Sequence, residues 1–344
     1  MKKEEVRALL RANIARLTPY STARDDYKGS LGVFLDANES PFPTGFNRYP
    51  DPHQKALKER LSEIKGLPVE NIFIGNGSDE AIDLVFRIFC NPGVDNVVAI
   101  APSYGMYSVC AAINDIALRE VLLEDDFSLD TDKLLKACDE HTKAIFLCSP
   151  NNPSGNAFPR EQLLDIVHRS RAMVIVDEAY VDFSEIPSLR KEVLSEPNLI
   201  IYQTLSKAWG MAGLRLGLAF ADAEVIARYS QVKYPYNISA LTQKTVLEAL
   251  QKPIDAQVKE IIAERARVAR ALKTMPCVKT VYPSQANFLL VKVNDADALY
   301  DALVAEGVIV RNRSRVPLCK DCLRITIGLK EENEKMLATV KSFK

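Results

Sequence analysis

The stretch Thr204–Gly217 reads TLSKAWGMAGLRLG and follows NLIIYQ, an apolar, β-branched run of the kind that forms a buried strand. Lys207 therefore falls just past a strand end, beside Ser206 and ahead of a glycine-rich turn, with Arg215 near the turn's far side. Alone, such a lysine is best read as a side chain that snorkels to solvent. Two other strand ends change the reading. In CSPNNPSGNAF (148–158), Asn151-Asn152-Pro153 and Gly155 form a turn, since Pro fixes φ and Gly permits positive φ. In VIVDEAYVDF (174–183), Asp177 closes an apolar run, where an ionised carboxylate is unfavourable unless it meets a cation. Tyr180 lies one helical turn further on. Each residue has an ordinary explanation: turn chemistry for Asn152, a local backbone cap for Asp177. At successive strand ends, however, an amide, a carboxylate, a phenol and an amine converge on one crevice.

Those four groups are what a pyridine aldehyde requires. The amine condenses with the aldehyde, the carboxylate pairs with the protonated ring nitrogen, and phenol and amide hydrogen-bond the ring oxygen. Neighbouring cations such as Arg215 push the lysine towards the neutral form that a nucleophile needs. Upstream, IFIGNGSDEAIDLVF (72–86) runs a strand into Gly75-Asn76-Gly77-Ser78, then opens a helix with Asp79 and Glu80 in its first turn. Free N–H groups at such a start, with glycines allowing close approach, suit a phosphate. Ser206 and Arg215 can clamp the same phosphate from the far side. Tyr104, in APSYGMYS, is placed either to stack on a flat ring or to pack as ordinary rim.

The scaffold must bring these strand ends together. Short apolar runs at 96–100, 144–149, 172–177, 199–203 and 215–220 read as strands, and amphipathic stretches near 79–89, 104–113, 130–138 and 160–169 read as helices between them. This alternation predicts an α/β fold with a mostly parallel sheet between helices, whose ligands sit beyond the carboxyl ends of the strands. Residues 238–273 read as helical. Strands at 280–284, 287–293, 308–312 and 323–328, with helices near 295–305 and at the end, predict a smaller α+β domain. The expected organisation is an N-terminal arm (1–45) joining the small domain, a large domain (46–236), and linking helices with the small domain (237–344).

A formal net charge of −1 without long single-sign runs gives no footprint for nucleic acid or a membrane surface. No apolar run approaches a bilayer-spanning length. The charged start MKKEEVRALLRANIARL lacks the apolar core of a signal peptide, so a cytoplasmic location is expected. Seven cysteines scattered through apolar segments fit reduced thiols. Cys319-Lys-Asp-Cys322 has metal-ligand spacing but no second pair, so it is read as a polar loop with incidental thiols and no metal is expected.

SPNNPSG, VDEAYVDF, TLSKAWGMAGLRLG and LRITIG resemble the signature blocks of the fold-type-I pyridoxal-phosphate aminotransferases. LTPYSTAR, LDANESPFP, NRYPDP and APSYGMY resemble its histidinol-phosphate aminotransferase branch, in order along the whole chain. The resemblance implies pyridoxal 5'-phosphate as cofactor, with Lys207 as the Schiff-base lysine and proton-transfer base. It assigns Asp177 to the pyridine nitrogen, and Tyr180 and Asn152 to the ring oxygen. Ser78, Thr204, Ser206 and Arg215 match the phosphate cup, with the backbone of Gly77 and Asp79 assisting, and Tyr104 matches the stacking aromatic. Tyr49 matches a tyrosine lent across a homodimer interface to the neighbouring site. Arg324 matches the arginine that holds the substrate's acidic group, and Tyr20, Asn38 and Arg311 match residues lining the substrate side. Trp209 departs from the phenylalanine that relatives often carry, which bears on packing behind the lysine. The implied reaction moves an amino group between glutamate and imidazole acetol phosphate. An aromatic aminotransferase or a threonine-phosphate decarboxylase on the same scaffold is the alternative within enzymes, and a regulator that has lost catalysis is the alternative outside them.

Overall fold

The computed structural model describes residues 1–22 and 32–343; the part of the N-terminal arm at 23–31 lies outside the described residues. Seven strands build the main sheet: β1 (Ile72–Asn76), β2 (Asn96–Ala101), β3 (Ala117–Leu122), β4 (Thr142–Cys148), β5 (Met173–Asp177), β6 (Leu199–Thr204) and β7 (Leu216–Ala221). Their order is β1-β7-β6-β5-β4-β2-β3, and β7 alone runs antiparallel to its neighbours. Both faces are covered, which is why the strands read as unbroken apolar runs rather than alternating ones. In β5, for example, Val174 and Val176 enter one core cluster while Met173 and Ile175 enter the other. The edge strand β3 was not expected from sequence. Only Val121 in it is buried, so it carries no apolar run to betray it.

A second sheet is entirely antiparallel: β8 (Val278–Val281), β9 (Phe288–Val293), β10 (Arg311–Asn312) and β11 (Cys322–Thr326), in the order β10-β11-β9-β8. One face packs Leu289, Val291, Leu323 and Ile325 with residues of the helices Asp255–Leu272, Ala296–Ala305 and Lys330–Ser342. The other face turns to the main body: Leu290 and Cys322 join its core cluster, and Phe288 meets the Tyr180 ring edge-on at 5.1 Å. Together the two sheets form the α/β body and smaller α+β unit of the expected fold class. Among the described residues no helix is long and apolar enough to cross a membrane.

Two local expectations differ from what is found. The start of the chain leans on the main sheet's helical layer: Val6 and Ile14 enter that core cluster, and Lys3 and Arg7 pair with Asp222 and Glu224 at 2.8 and 2.6 Å. An amphipathic helix flanked by cations is drawn to the acidic start of the helix Ala223–Val232. Cys319 and Cys322 are not in a polar loop. Both are fully buried, in a tight turn where Leu318 and Asp321 take positive φ, and burial lifts their thiols to about 12 and about 11.

Candidate active site

Because β7 runs backwards, its first two residues lie beside the last residues of β1 and β6: Asn76 pairs with Leu216, and Thr204 with Gly217. Arg215 therefore emerges at the same sheet edge as Gly77, Asp177 and Lys207. That edge holds a cleft with ≈ 600 Å³ of empty space, lined by Gly77, Ser78, Asp79, Tyr104, Cys148, Asn152, Asp177, Tyr180, Thr204, Ser206, Lys207 and Arg215, with Ala179 and Ala212. Sequence reading had placed nearly all of these polar groups in one crevice, and the fold brings them there.

Asp177 is wholly buried at the end of β5, and the desolvation lifts its carboxyl to about 6. It accepts from the Tyr107 hydroxyl at 2.9 Å and from the Ala179 amide at 3.0 Å, and has no ion-pair partner among the described residues. Tyr107 escaped the sequence reading. It is a buried side chain on the helix Met106–Ile113, one helical turn past Tyr104, and its only signal was that spacing. Lys207 reaches into the open part of the cleft, with Nζ 5.7 Å from the centre of the Tyr180 ring. Partial burial first, then the charges of Arg324 and Arg215, hold its amine below the usual lysine range, against the pull of Asp177. Tyr180 stays a neutral phenol, since burial raises its pKa.

The far end of the cleft is made by backbone. The helix Ser78–Phe89 starts without a side-chain cap, so among the described residues its first amides are left open at the positive end of the helix, an arrangement suited to an anion. Gly217 is required here, because a Cβ on it would lie 2.1 Å from the Ser78 nitrogen. Gly77 differs from its expected part as a donor. Its amide is already given to the Arg215 carbonyl at 2.8 Å, and it contributes room instead: φ is +77° and a Cβ would sit 2.7 Å from the Arg215 guanidinium. Asp79 joins the two sides, accepting from the Tyr104 hydroxyl at 3.0 Å and lying 3.6 Å from Arg215.

The substrate-side residues fall into two groups. Arg324 donates to the Asn152 side-chain oxygen at 2.5 Å and lies over the Phe288 ring at 5.4 Å. Arg311 is its direct cross-strand partner. Tyr20, Asn38 and Tyr49 do not line the cleft in the single chain. Tyr20 and Asn38 are exposed, and Tyr49 stacks on Tyr236 at 4.4 Å while remaining half exposed.

This arrangement fits a phosphorylated pyridine aldehyde. A buried carboxylate lacking a cation, an amine at the mouth, a phenol and amide between them, and an uncapped helix start with a guanidinium are the required complement. The family comparison agrees: the model for aminotransferase class I and II matches residues 37–340, and the chain belongs to that family. At a finer level it is similar to the histidinol-phosphate aminotransferase of Parabacteroides distasonis, 52% identical over 343 residues, covering 99% of each chain. The solved histidinol-phosphate aminotransferase from Sinorhizobium meliloti, in complex with pyridoxal-5'-phosphate, matches with a TM-score of 0.78 at 24% identity, covering 89% of each chain. The L-threonine-O-3-phosphate decarboxylase from Porphyromonas gingivalis matches at 0.72 and 21% identity, covering 87% of this chain and 91% of that one. At those identities the structural likeness establishes the shared fold and does not separate the two reactions.

Proposed function

We propose that the protein is a histidinol-phosphate aminotransferase, moving an amino group between glutamate and imidazole acetol phosphate to give L-histidinol phosphate and 2-oxoglutarate. The observation that carries this reading is the pairing of Arg311 with Arg324 above a cleft that holds Lys207, with Asn152 as the only side-chain acceptor either arginine meets among the described residues. A guanidinium fork fits carboxylate and phosphate alike, so one cationic end can serve a dicarboxylate and a phosphate monoester in turn.

Pyridoxal phosphate, when bound, supplies the electron sink that makes a substrate Cα proton removable. The chain supplies the rest. The amides of Ser78 and Asp79, with Thr204, Ser206 and Arg215, would hold the phosphate. Asp177 would keep the pyridine nitrogen protonated, while Tyr107 and Ala179 keep Asp177 aimed. Tyr180 and Asn152 would hold the ring oxygen, and Tyr104 would cover the ring. Lys207 would hold the aldehyde end of the cofactor, and its amine would carry the proton from the substrate's Cα. Its lowered pKa serves that step, because a base must be neutral to accept a proton.

We also assign a homodimer to the working state. Phe42, Phe46, Tyr49, Tyr234 and Leu241 are exposed on this chain, and a second copy would bury them and bring Tyr49 to the neighbouring cleft.

The deciding measurement is the absorbance of purified, cofactor-loaded protein titrated with L-histidinol phosphate and, separately, with phenylalanine. Bleaching by the phosphate ester supports the assignment. Bleaching by phenylalanine alone would make it an aromatic aminotransferase, and release of carbon dioxide from threonine phosphate would make it a decarboxylase.

A further inference from the structure

Beside the Arg311–Arg324 pair stands a third cation that sequence reading did not single out. The Arg313 amide donates to the Cys322 carbonyl at 2.9 Å, which carries the β10–β11 register one residue beyond Asn312–Leu323. Side chains two apart on a strand share a face. Arg313 thus lies on the face that carries Arg311 and Arg324, the face turned to Asn152 and Tyr180. Asn312, on the opposite face, is tied to Asp297 at 2.5 Å, so that carboxylate is directed away from the arginines.

Charge balance at this corner is unusual. Arg311, Arg313 and Arg324 form no ion pair with any carboxylate among the described residues, and the Arg324–Asn152 contact is the only side-chain hydrogen bond the three guanidiniums make there. The Nε atoms of Arg313 and Arg324 and the Oγ of neighbouring Ser314 are buried without a partner. Burial, reinforced by the mutual repulsion of the arginines, lowers the pKa of Arg313. Gathering cations while leaving their donors unused is unfavourable unless an anion completes the site. One carboxylate offers a single charge and two oxygens. A phosphate monoester offers nearly two charges and three oxygens, which matches three forks more closely.

We propose that Arg313 is a specificity-determining residue that completes a three-arginine cup for the phosphate end of the substrate, favouring a phosphate monoester over a carboxylate at the same place. It would act on binding of the distal group and take no part in proton transfer at Cα. The inference deepens the proposed function and rests on that assignment for the identity of its ligand.

The test compares the two half-reactions in cofactor-loaded Arg313→Gln and Arg313→Lys, each followed by the absorbance of the bound cofactor. For Arg313→Gln, kcat/KM for L-histidinol phosphate should fall about 10- to 100-fold through KM, the loss expected for a charged hydrogen bond, and severalfold less for glutamate. Arg313→Lys keeps the charge without the fork and should fall between Arg313→Gln and the unmodified enzyme. It also supplies the answer if the glutamine variant does not fold. Equal losses on both substrates, or none, would overturn the inference and leave Arg313 a structural residue. If the unmodified enzyme does not react with L-histidinol phosphate, the functional assignment fails, and Arg313 is then judged with inorganic phosphate as a competitor of glutamate. About tenfold weaker inhibition in the variants would uphold the cup, and unchanged inhibition would refute it.

Discussion

The two ends of the cleft are built on opposite principles. At the main-sheet end several key polar groups are held before any ligand arrives: Asp177 by the Tyr107 hydroxyl and the Ala179 amide, Asp79 by the Tyr104 hydroxyl, and the Arg215 carbonyl by the Gly77 amide. At the small-sheet end three arginines share one side-chain hydrogen bond among the described residues. The first end is suited to a group that stays through many turnovers, since its donors are fixed in advance and need no rearrangement. The second is suited to anions that arrive and leave, since its unmet charge is satisfied only while one is present. The two ends meet where Arg324 donates to Asn152 and Phe288 packs on Tyr180.

Breaking the permanent end should give the largest effects. Lys207→Ala removes both the covalent anchor and the base. A positioned base alone is worth about a hundred- to ten-thousand-fold, so steady-state transamination should vanish. Substantial residual turnover would remove Lys207 from the centre of the account.

Asp177→Asn should slow Cα proton removal by about a hundred-fold or more while stabilising the cofactor-free protein at neutral pH. The sign follows from burial, which lifts the folded carboxyl to about 6, above its value in the unfolded chain. The advantage of the protonated form is complete below about pH 4 and is lost as pH rises through about 6. Urea unfolding of the cofactor-free proteins should therefore show the variant gaining about 2–3 kcal/mol above pH 7, a gap that closes as the pH falls towards 4. A gap that stayed constant with pH would mean that Asp177 is not ionised against its surroundings.

At the exchanging end, Arg311→Ala should weaken both glutamate and L-histidinol phosphate by about 10- to 100-fold in KM, with smaller change in kcat. A loss confined to one substrate would show that the two acidic ends use different residues. The smallest effect belongs to the second layer: Tyr107→Phe removes one hydrogen bond to Asp177 and should slow the half-reactions about tenfold, with the cofactor's absorbance band shifted. No change in either would mean that the Ala179 amide alone is enough to aim Asp177.

How much of this was legible depended on whether a residue's partner lay nearby in sequence. Asp177 was readable because it ends an apolar run, and Asn152, Tyr180 and Lys207 because each follows within a few residues of one, where a polar group is conspicuous. Gly77 was readable as a glycine that must be there, but its amide was assigned to a ligand when the Arg215 carbonyl takes it. That bond exists only because β7 reverses direction. Strand β3 was invisible because an edge strand exposes most of its side chains. The cysteine pair was misread because hydrophilic neighbours in the sequence said nothing about the core beneath. Tyr107 and Arg313 were missed for the same cause, since each matters through a residue far away along the chain.

The sequence alone determined the strand–helix alternation, the reactive residue types and their placement at strand ends, because hydrophobic periodicity and turn chemistry act over a few neighbouring residues. Only the tertiary structure decided which strand runs backwards, which amides remain free, and which three arginines share a face. Those depend on pairing register and on packing between distant segments, where a displacement of one residue turns a side chain from the cleft to the opposite face.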